Sequence, residues 1–500
     1  MREYQLFVDG EFTDAAASGT FESHDPSTGE VVARVALGEA EDMARAIGAA
    51  RRAFDEGPWP RMRPEERTKI MLDVFARLQD AAGEIGDVET RDAGQTIRAA
   101  SLFLVPYSNE FWRYLAEEAS RIPYVEQVPR YDFPVPAWEW VERTPFGVCA
   151  AIIPWNVPYM MAIWKIAPAI ATGNTVVLKP AMETPATAME LATIIAGSDI
   201  PPGVVNIVPG HGPTAGEALV TDPRVDKVAF TGSTEVGRRI MQLASSTVKY
   251  STLELGGKSP NIILDDADLD TAIPGALWAM YLHQGQICQA GSRLLVPASL
   301  YDEVVARAVE LVEGMRTGPA GDYESDLGPL MNETQLRTVE RYVELGVREG
   351  AKLLTGGERI TGGVHDRGFF FQPTIFGDVE GSMKIAQEEI FGPVLTVLRY
   401  DGVDDAVRIA NDSIYGLAAG VWSRDIPRAL EVARRIDAGT VWVNDYHLIT
   451  PAAPFGGFKQ SGVGREHGRW GLQNYLQVKT VHVSQAPTKD QKFWFQVLGL

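Results

Sequence analysis

Cysteine is almost missing from this chain: there are two in 500 residues, Cys149 and Cys288. Two thiols build no disulfide framework, so an ordinary apolar core has to hold the fold, and a reducing compartment suits it. Long apolar runs are missing too, since none approaches the ~18 residues that a membrane span needs. The start, Met1-Arg2-Glu3-Tyr4, carries no apolar stretch of the secretory kind. Positive charge is in short supply, with 46 Lys and Arg against 66 Asp and Glu and a net charge of −20. A surface this acidic repels phosphate backbones and anionic lipid, which argues against nucleic-acid and membrane partners. The remainder, 45% apolar and 22% charged, is that of a globular protein with no low-complexity segment. At this length two or three domains are expected, and the expected location is cytoplasmic.

Along the chain, residues 1–36 alternate short apolar runs with turn signals and read as hairpin strands. Helical spacing follows from Glu39 to about Ser120. Four prolines and several aromatics between Arg121 and Arg143 exclude a helix there and leave an extended, protruding hairpin. Gly147–Ile153 is wholly apolar, the pattern of a strand covered on both faces, which makes Cys149 a core residue. Strands at Thr175–Lys179, Val204–Val208 and Lys227–Phe230 then alternate with helices, the signature of a parallel, doubly wound sheet. A second α/β unit runs from Pro260 to about Ser461. Leu476–Val483 alternates like a strand, and the aromatic end Phe493-Trp494-Phe495 is expected to dock on protein.

Cys288 lies in Gly285-Gln286-Ile287-Cys288-Gln289-Ala290-Gly291, where flanking glycines let the backbone bend and a ligand approach. A nucleophilic thiol is the sharp reading, and an inert buried thiol is the plain one. Phe230-Thr231-Gly232-Ser233 ends a strand and enters a helix, a turn able to offer backbone N–H groups to a pyrophosphate, although it is not GxGxxG and an ordinary strand-to-helix turn looks similar. Gly210-His211-Gly212-Pro213 is the weaker glycine loop, because Pro213 has no N–H to donate. Glu254, among apolar and glycine neighbours, is a candidate general base if desolvated; a solvated loop acid is the alternative. Asn156, just past a buried strand, is a candidate oxyanion donor or an Asx turn.

Six stretches in order, Pro154-Trp155-Asn156, Phe230-Thr231-Gly232-Ser233, Glu254-Leu255-Gly256-Gly257-Lys258, Gly285-Gln286-Ile287-Cys288, Glu388-Glu389-Ile390-Phe391-Gly392-Pro393 and Pro454-Phe455-Gly456-Gly457, resemble the aldehyde dehydrogenase superfamily over nearly the whole chain. The resemblance implies an α/β fold with a Rossmann-like dinucleotide-binding domain (1–120 and 146–256) and an α/β catalytic domain (257–461). A small β bridging or oligomerisation element completes it (121–145, with 475–500 as strand and tail). It implies an NAD(P)-dependent enzyme that oxidises an aldehyde to the carboxylic acid, without a metal. Cys288 then matches the nucleophile that forms a thiohemiacetal and a thioester, Asn156 the oxyanion donor, Glu254 the base for water, and Lys165 and Glu466 a proton relay. Trp155, Gly232 and Ser233 match the phosphate region, with Ile152 and Leu255 in the cofactor wall, Lys179 at the adenosine ribose, Glu389 at the nicotinamide ribose and Phe391 beside it.

Two departures from the family pattern stand out. Many NAD-preferring relatives carry an acid three residues after the lysine; here that residue is Met182, with Glu183 one place later. NAD is the expected cofactor, with NADP admitted. His283 stands where relatives often have asparagine and reads as helix-surface variation. The substrate positions implied, Val157, Met161, Ile287, Leu448, Ile449 and Phe455, are all apolar and point to an aliphatic, terpenoid or aromatic aldehyde. They give no cage of rings for a quaternary ammonium group. A homodimer or homotetramer is implied. The competing readings are a CoA-acylating aldehyde dehydrogenase, against which Glu254 speaks, and a structural relative without catalysis, against which Cys288, Glu254 and Asn156 speak together.

Overall fold

A computed structural model describes residues 1–499. Its first large sheet has eight strands in the spatial order Gly462–Val463, Tyr250–Glu254, Lys227–Thr231, Val148–Ile152, Thr175–Lys179, Val205–Ile207, Leu6–Val8 and Glu11–Thr13. The five strands from Tyr250–Glu254 to Val205–Ile207 are parallel, and antiparallel strands close both edges. Val148–Ile152 and Thr175–Lys179 are buried throughout, because helices cover both faces and leave no place for polar alternation. From Val148–Ile152 the chain builds outward one way through Thr175 and Val205, then returns to add Lys227–Thr231 on the other side. Strand order therefore reverses between Ile152 and Phe230, and a crevice outside the carboxyl ends of strands at such a reversal is where α/β sheets take ligands.

The second sheet has seven strands, ordered Lys352–Thr355, Thr374–Gly377, Val394–Tyr400, Arg293–Pro297, Pro260–Ile263, Ala418–Trp422 and Thr440–Val443, with only the first antiparallel. At the chain start Leu6–Val8 and Glu11–Thr13 form a hairpin, as do Thr20–His24 and Val31–Ala36, whereas Arg2–Tyr4 runs parallel to Val31–Ala36. Leu476–Ser484 pairs antiparallel along Ala137–Pro145, which pairs in turn with Val125–Gln127. This small sheet leaves Val125, Trp138 and Val478 exposed. The aromatic end forms the helix Phe493–Leu498, whose Trp494 and Phe495 rings stack 3.8 Å apart and stay half-exposed. Among the described residues no helix is long and apolar enough to cross a membrane.

Candidate active site

The Cys288 loop leaves helix Leu269–Tyr281 through three successive left-handed residues, His283, Gln284 and Gly285, at φ 50°, 57° and 72°. Two non-glycine residues in that region cost backbone energy, which surrounding structure has to offset and which concentrates at functional sites. A Cβ on Gly285 would stand 2.5 Å from the Gly392 carbonyl oxygen, so the turn requires glycine. The loop is then fastened from several sides. The Tyr446 hydroxyl donates to the Gln289 carbonyl at 2.9 Å, and Met331 N–H donates to Gln286 Oε1 at 2.9 Å. Gln289 Nε2 and His447 Nδ1 are 2.9 Å apart, with His447 Nε2 3.1 Å from the Ala279 carbonyl. Gly257 lies under the loop, where a Cβ would meet the Cys288 carbonyl oxygen at 2.4 Å.

His283 is not a surface variant. It is buried, at 4% exposure, and burial holds its pKa down to about 4, with the Asn156 backbone and the Gln284 side chain opposing the shift. The helix ends at Tyr281, so the residue turns inward where helical periodicity would have carried it out.

Cys288 and Asn156 face one cavity of about 280 Å³. Asn156 sits between the end of strand Val148–Ile152 and the helix Pro158–Ala171, which starts on a proline. Its Nδ2 donates to the Gln286 carbonyl at 2.8 Å, which ties it to the Cys288 loop and leaves its second N–H for a ligand oxygen. Burial pushes the Cys288 thiol up to about 12; the charges of Glu389 and Glu254 add to this, and the backbone N–H groups of Gln289 and Cys288 oppose it.

Glu254 does not line the cavity. It lies behind the wall, with Oε1 against Gly456 and Oε2 without a hydrogen-bond partner. Burial holds its carboxyl far above the usual range, and the charge of Glu466 adds to the effect while Lys165 and Arg465 reduce it. Lys165, on the helix that also carries Met161, donates to Glu466 Oε1 at 2.5 Å. A desolvated carboxyl whose charge is felt at the thiol, with the Lys165–Glu466 pair acting on it in turn, is an arrangement able to take up and pass on a proton.

On the cofactor side, Trp155, Gly232, Ser233, Leu255, Glu389 and Phe391 line the same cavity. The ring of Phe391 meets that of Trp155 edge-on at 5.3 Å. Ser233 caps helix Thr234–Ala244 by accepting from Val236 N–H at 3.3 Å, which points the free N–H groups of the first turn outward. The neighbouring Thr231 hydroxyl, also on the cavity wall, is buried without a partner. An orphaned hydroxyl beside a helix N-terminus, at the reversal point of a parallel sheet, fits a phosphate-bearing dinucleotide. Ile152 and Lys179, register partners on adjacent strands, lie outside the cavity wall. Lys179 Nζ donates to the Pro180 and Gly210 carbonyls at 2.7 and 2.9 Å, and burial lowers its pKa to about 8. Met182 is half-buried and Glu183 exposed, with the charge of Glu183 felt at Lys179.

Of the expected substrate positions, Val157, Met161, Ile287, Ile449 and Phe455 line the cavity. Leu448 does not: its side chain is 51% exposed, and its carbonyl accepts from Trp442 Nε1 at 2.8 Å, which turns the loop so that Ile449 faces inward instead. Sequence reading missed the aromatic part of the wall. Phe103, Tyr107 and Trp164 join Trp155, Phe391 and Phe455, so rings do converge here. Trp164 was accessible from helical spacing after Val157 and Met161; Phe103 and Tyr107 come from a distant helical stretch that no motif marks. Among the described residues no group of three or more His, Cys, Asp or Glu is disposed to hold a metal ion.

Comparison with known proteins agrees over nearly the whole chain. The profile of the aldehyde dehydrogenase family matches residues 12–481. Human mitochondrial aldehyde dehydrogenase is 45% identical over 489 residues, 97% of this chain and 93% of that protein. Betaine aldehyde dehydrogenase from Bacillus subtilis is 42% identical over 491 residues, 98% and 99% of the two. The solved NAD+ complex of an aldehyde dehydrogenase from Bacillus cereus superposes with a TM-score of 0.92 at 42% identity, over 97% of each chain.

Proposed function

Because the chain belongs to the aldehyde dehydrogenase family, we propose that it oxidises an apolar aldehyde to the carboxylic acid with NAD, using Cys288 as nucleophile. The observation that carries this is the shared cavity of Cys288 and Asn156, with Glu254 behind it next to the Lys165–Glu466 pair. Cys288 Sγ adds to the aldehyde carbon as its proton passes to the Glu254 carboxylate. The second N–H of Asn156 Nδ2 and the Cys288 backbone N–H meet the oxyanion. NAD, when bound along Trp155, Gly232, Ser233, Glu389 and Phe391 with Lys179 and Ile152 at the adenosine end, supplies the hydride acceptor. The acyl group remains on Cys288 as a thioester. Glu254, having released the first proton through Glu466 and Lys165, takes a proton from the water that attacks the thioester carbon; the C–S bond breaks, the carboxylic acid leaves, and Cys288 regains its proton.

The apolar wall supports an aliphatic, terpenoid or aromatic substrate, since no charged side chain other than Glu389 lines the cavity. The domain division implied by the sequence, 1–120 with 146–256 for the cofactor and 257–461 for chemistry, goes with this reading. So does a homodimer or homotetramer assembled through the 121–145 and 475–500 element, whose sheet exposes Trp138 and Val478. A free catalytic thiol also calls for a reducing compartment.

Two assays test the proposal. Cys288→Ala is expected to abolish NADH production from aldehyde, and unchanged production would end the mechanism. kcat/KM for a medium-chain or aromatic aldehyde is expected to exceed that for betaine aldehyde; because six rings line the cavity, the reverse order would reassign the substrate to a quaternary ammonium aldehyde.

A further inference from the structure

Three loops close on one another through side-chain amides. Gln284 Nε2 donates to the Gly94 carbonyl at 3.2 Å and to the Pro329 carbonyl at 3.0 Å. Two residues further on, the Gln286 carbonyl accepts from Asn156 Nδ2 at 2.8 Å. The Asn156 carbonyl in turn accepts from Gln95 Nε2 at 3.1 Å, and Gln95 adjoins Gly94, where the circuit began. The other N–H of Gln95 goes to Glu89 Oε1 at 3.0 Å, on helix Ala82–Ala93. Gln95, Glu89, Asn156, Gln284 and Gln286 are all buried.

The circuit joins the residue assigned to the oxyanion, the loop of the nucleophile and a loop that touches neither substrate nor cofactor. Asn156 belongs to no helix or strand. Its side chain is committed on one side to Gln286, and its backbone carbonyl is held by Gln95. An oxyanion donor acts only if held within about 0.5 Å of its working geometry. We infer that Gln95, braced by Glu89, is a positioning residue for the oxyanion step: it fixes the Asn156 backbone so that the Asn156 amide reaches the Gln286 carbonyl and the reacting oxygen together. This rests on the reading of Asn156 as the oxyanion donor.

The test uses the full-length enzyme and three measurements: kcat with an apolar aldehyde, the Kd for NAD, and the rate of Cys288 alkylation by iodoacetamide, which needs the thiolate but no oxyanion. Gln95→Met keeps length and apolar volume and removes both donors. It is expected to lower kcat about tenfold or more, with NAD affinity and alkylation rate unchanged. Gln95→Lys, which retains donors for both Glu89 and Asn156, is expected to restore most of kcat. If Gln95→Met does not fold, Gln95→Ser, small enough to admit a water to the vacated partners, takes its place. A kcat within about twofold of the parent, or a fall shared equally by alkylation and NAD binding, overturns the inference. Asn156→Ala is the control. If it keeps the parent kcat, the oxyanion reading falls and the inference with it; if only the Gln95 variants keep it, the inference falls alone.

Discussion

Lys165 Nζ stands 2.5 Å from Glu466 Oε1, and both side chains are buried. Two charges out of water are tolerable as a pair, and each is costly alone. The same pair sets the surroundings of Glu254, whose carboxyl Glu466 pushes up and Lys165 pulls down.

Removing the cation alone therefore acts twice. Lys165→Met leaves Glu466 buried and unpaired, with an expected loss of about 3–5 kcal/mol, read as a fall in the denaturant midpoint. It also takes from the relay the cation beside Glu466 that carries the proton on from Glu254, so thioester hydrolysis should slow, visible as a larger burst of NADH relative to the steady rate. Adding Glu466→Leu to Lys165→Met should recover part of the stability and none of the hydrolysis. A double variant no more stable than the single one would mean that the pair does not govern this core.

In the proposed mechanism the Cys288 thiol, pushed up to about 12 by burial with Glu389 and Glu254 adding to it, has to lose a proton before it attacks. Alkylation by iodoacetamide should therefore climb through the neutral and alkaline range without reaching a plateau near neutrality. Glu389→Gln and Glu254→Gln each delete a negative neighbour, which favours the thiolate, so each should move the alkylation profile to lower pH. A shift upward, or none in either variant, would separate the thiol from these carboxylates.

What was legible in the sequence was whatever depends on local pattern or on a short motif. The fully apolar run Val148–Ile152 announced a covered strand, and the stretches around Asn156, Glu254 and Cys288 pointed to a common site although they lie far apart in the chain. What stayed hidden depends on which way a loop turns. Leu448 and Ile449 are adjacent and equally apolar, and only the bond from Trp442 Nε1 to the Leu448 carbonyl decides which one faces the cavity. His283 read as an exposed helical residue because nothing local marks the left-handed turn that buries it. Gln95 carries no motif, since its importance lies in a single bond to a backbone carbonyl across the fold.

His283 gives the molecule an acid weakness. Its pKa falls from 6.5 to about 4 on folding because burial disfavours the cation. The unfolded chain therefore binds a proton there between those values that the folded chain refuses, and stability drops as pH falls from 6.5 through about 4, by up to roughly 3 kcal/mol. His447, lowered to about 3 for the same reason, adds in the same direction. His283→Leu removes the first contribution. Thermal unfolding followed across the acid range should show a shallower loss in the variant than in the parent. Parallel curves would show that folding does not lower the His283 pKa.

In the proposed binding mode, cofactor choice turns on the residues after Lys179. Where many relatives place an acid able to accept the ribose 2′-hydroxyl and repel a 2′-phosphate, this chain has the half-buried Met182, and the exposed Glu183 follows it. The parent should then turn over with NADP as well as NAD, and Met182→Glu should cut kcat/KM for NADP by about tenfold or more while leaving NAD nearly unchanged. Glu183→Gln separates two opposed effects. Deleting the carboxylate removes a repulsion from any 2′-phosphate, but it also withdraws the charge that supports the Lys179 cation, already lowered to about 8 by burial. If Glu183 reaches the ribose, the first effect dominates and NADP use improves. If it acts only through Lys179, NADP use weakens, and more so as pH rises past 8, where the lysine loses its proton. A parent rate with NADP no greater than background would remove the role given to Met182.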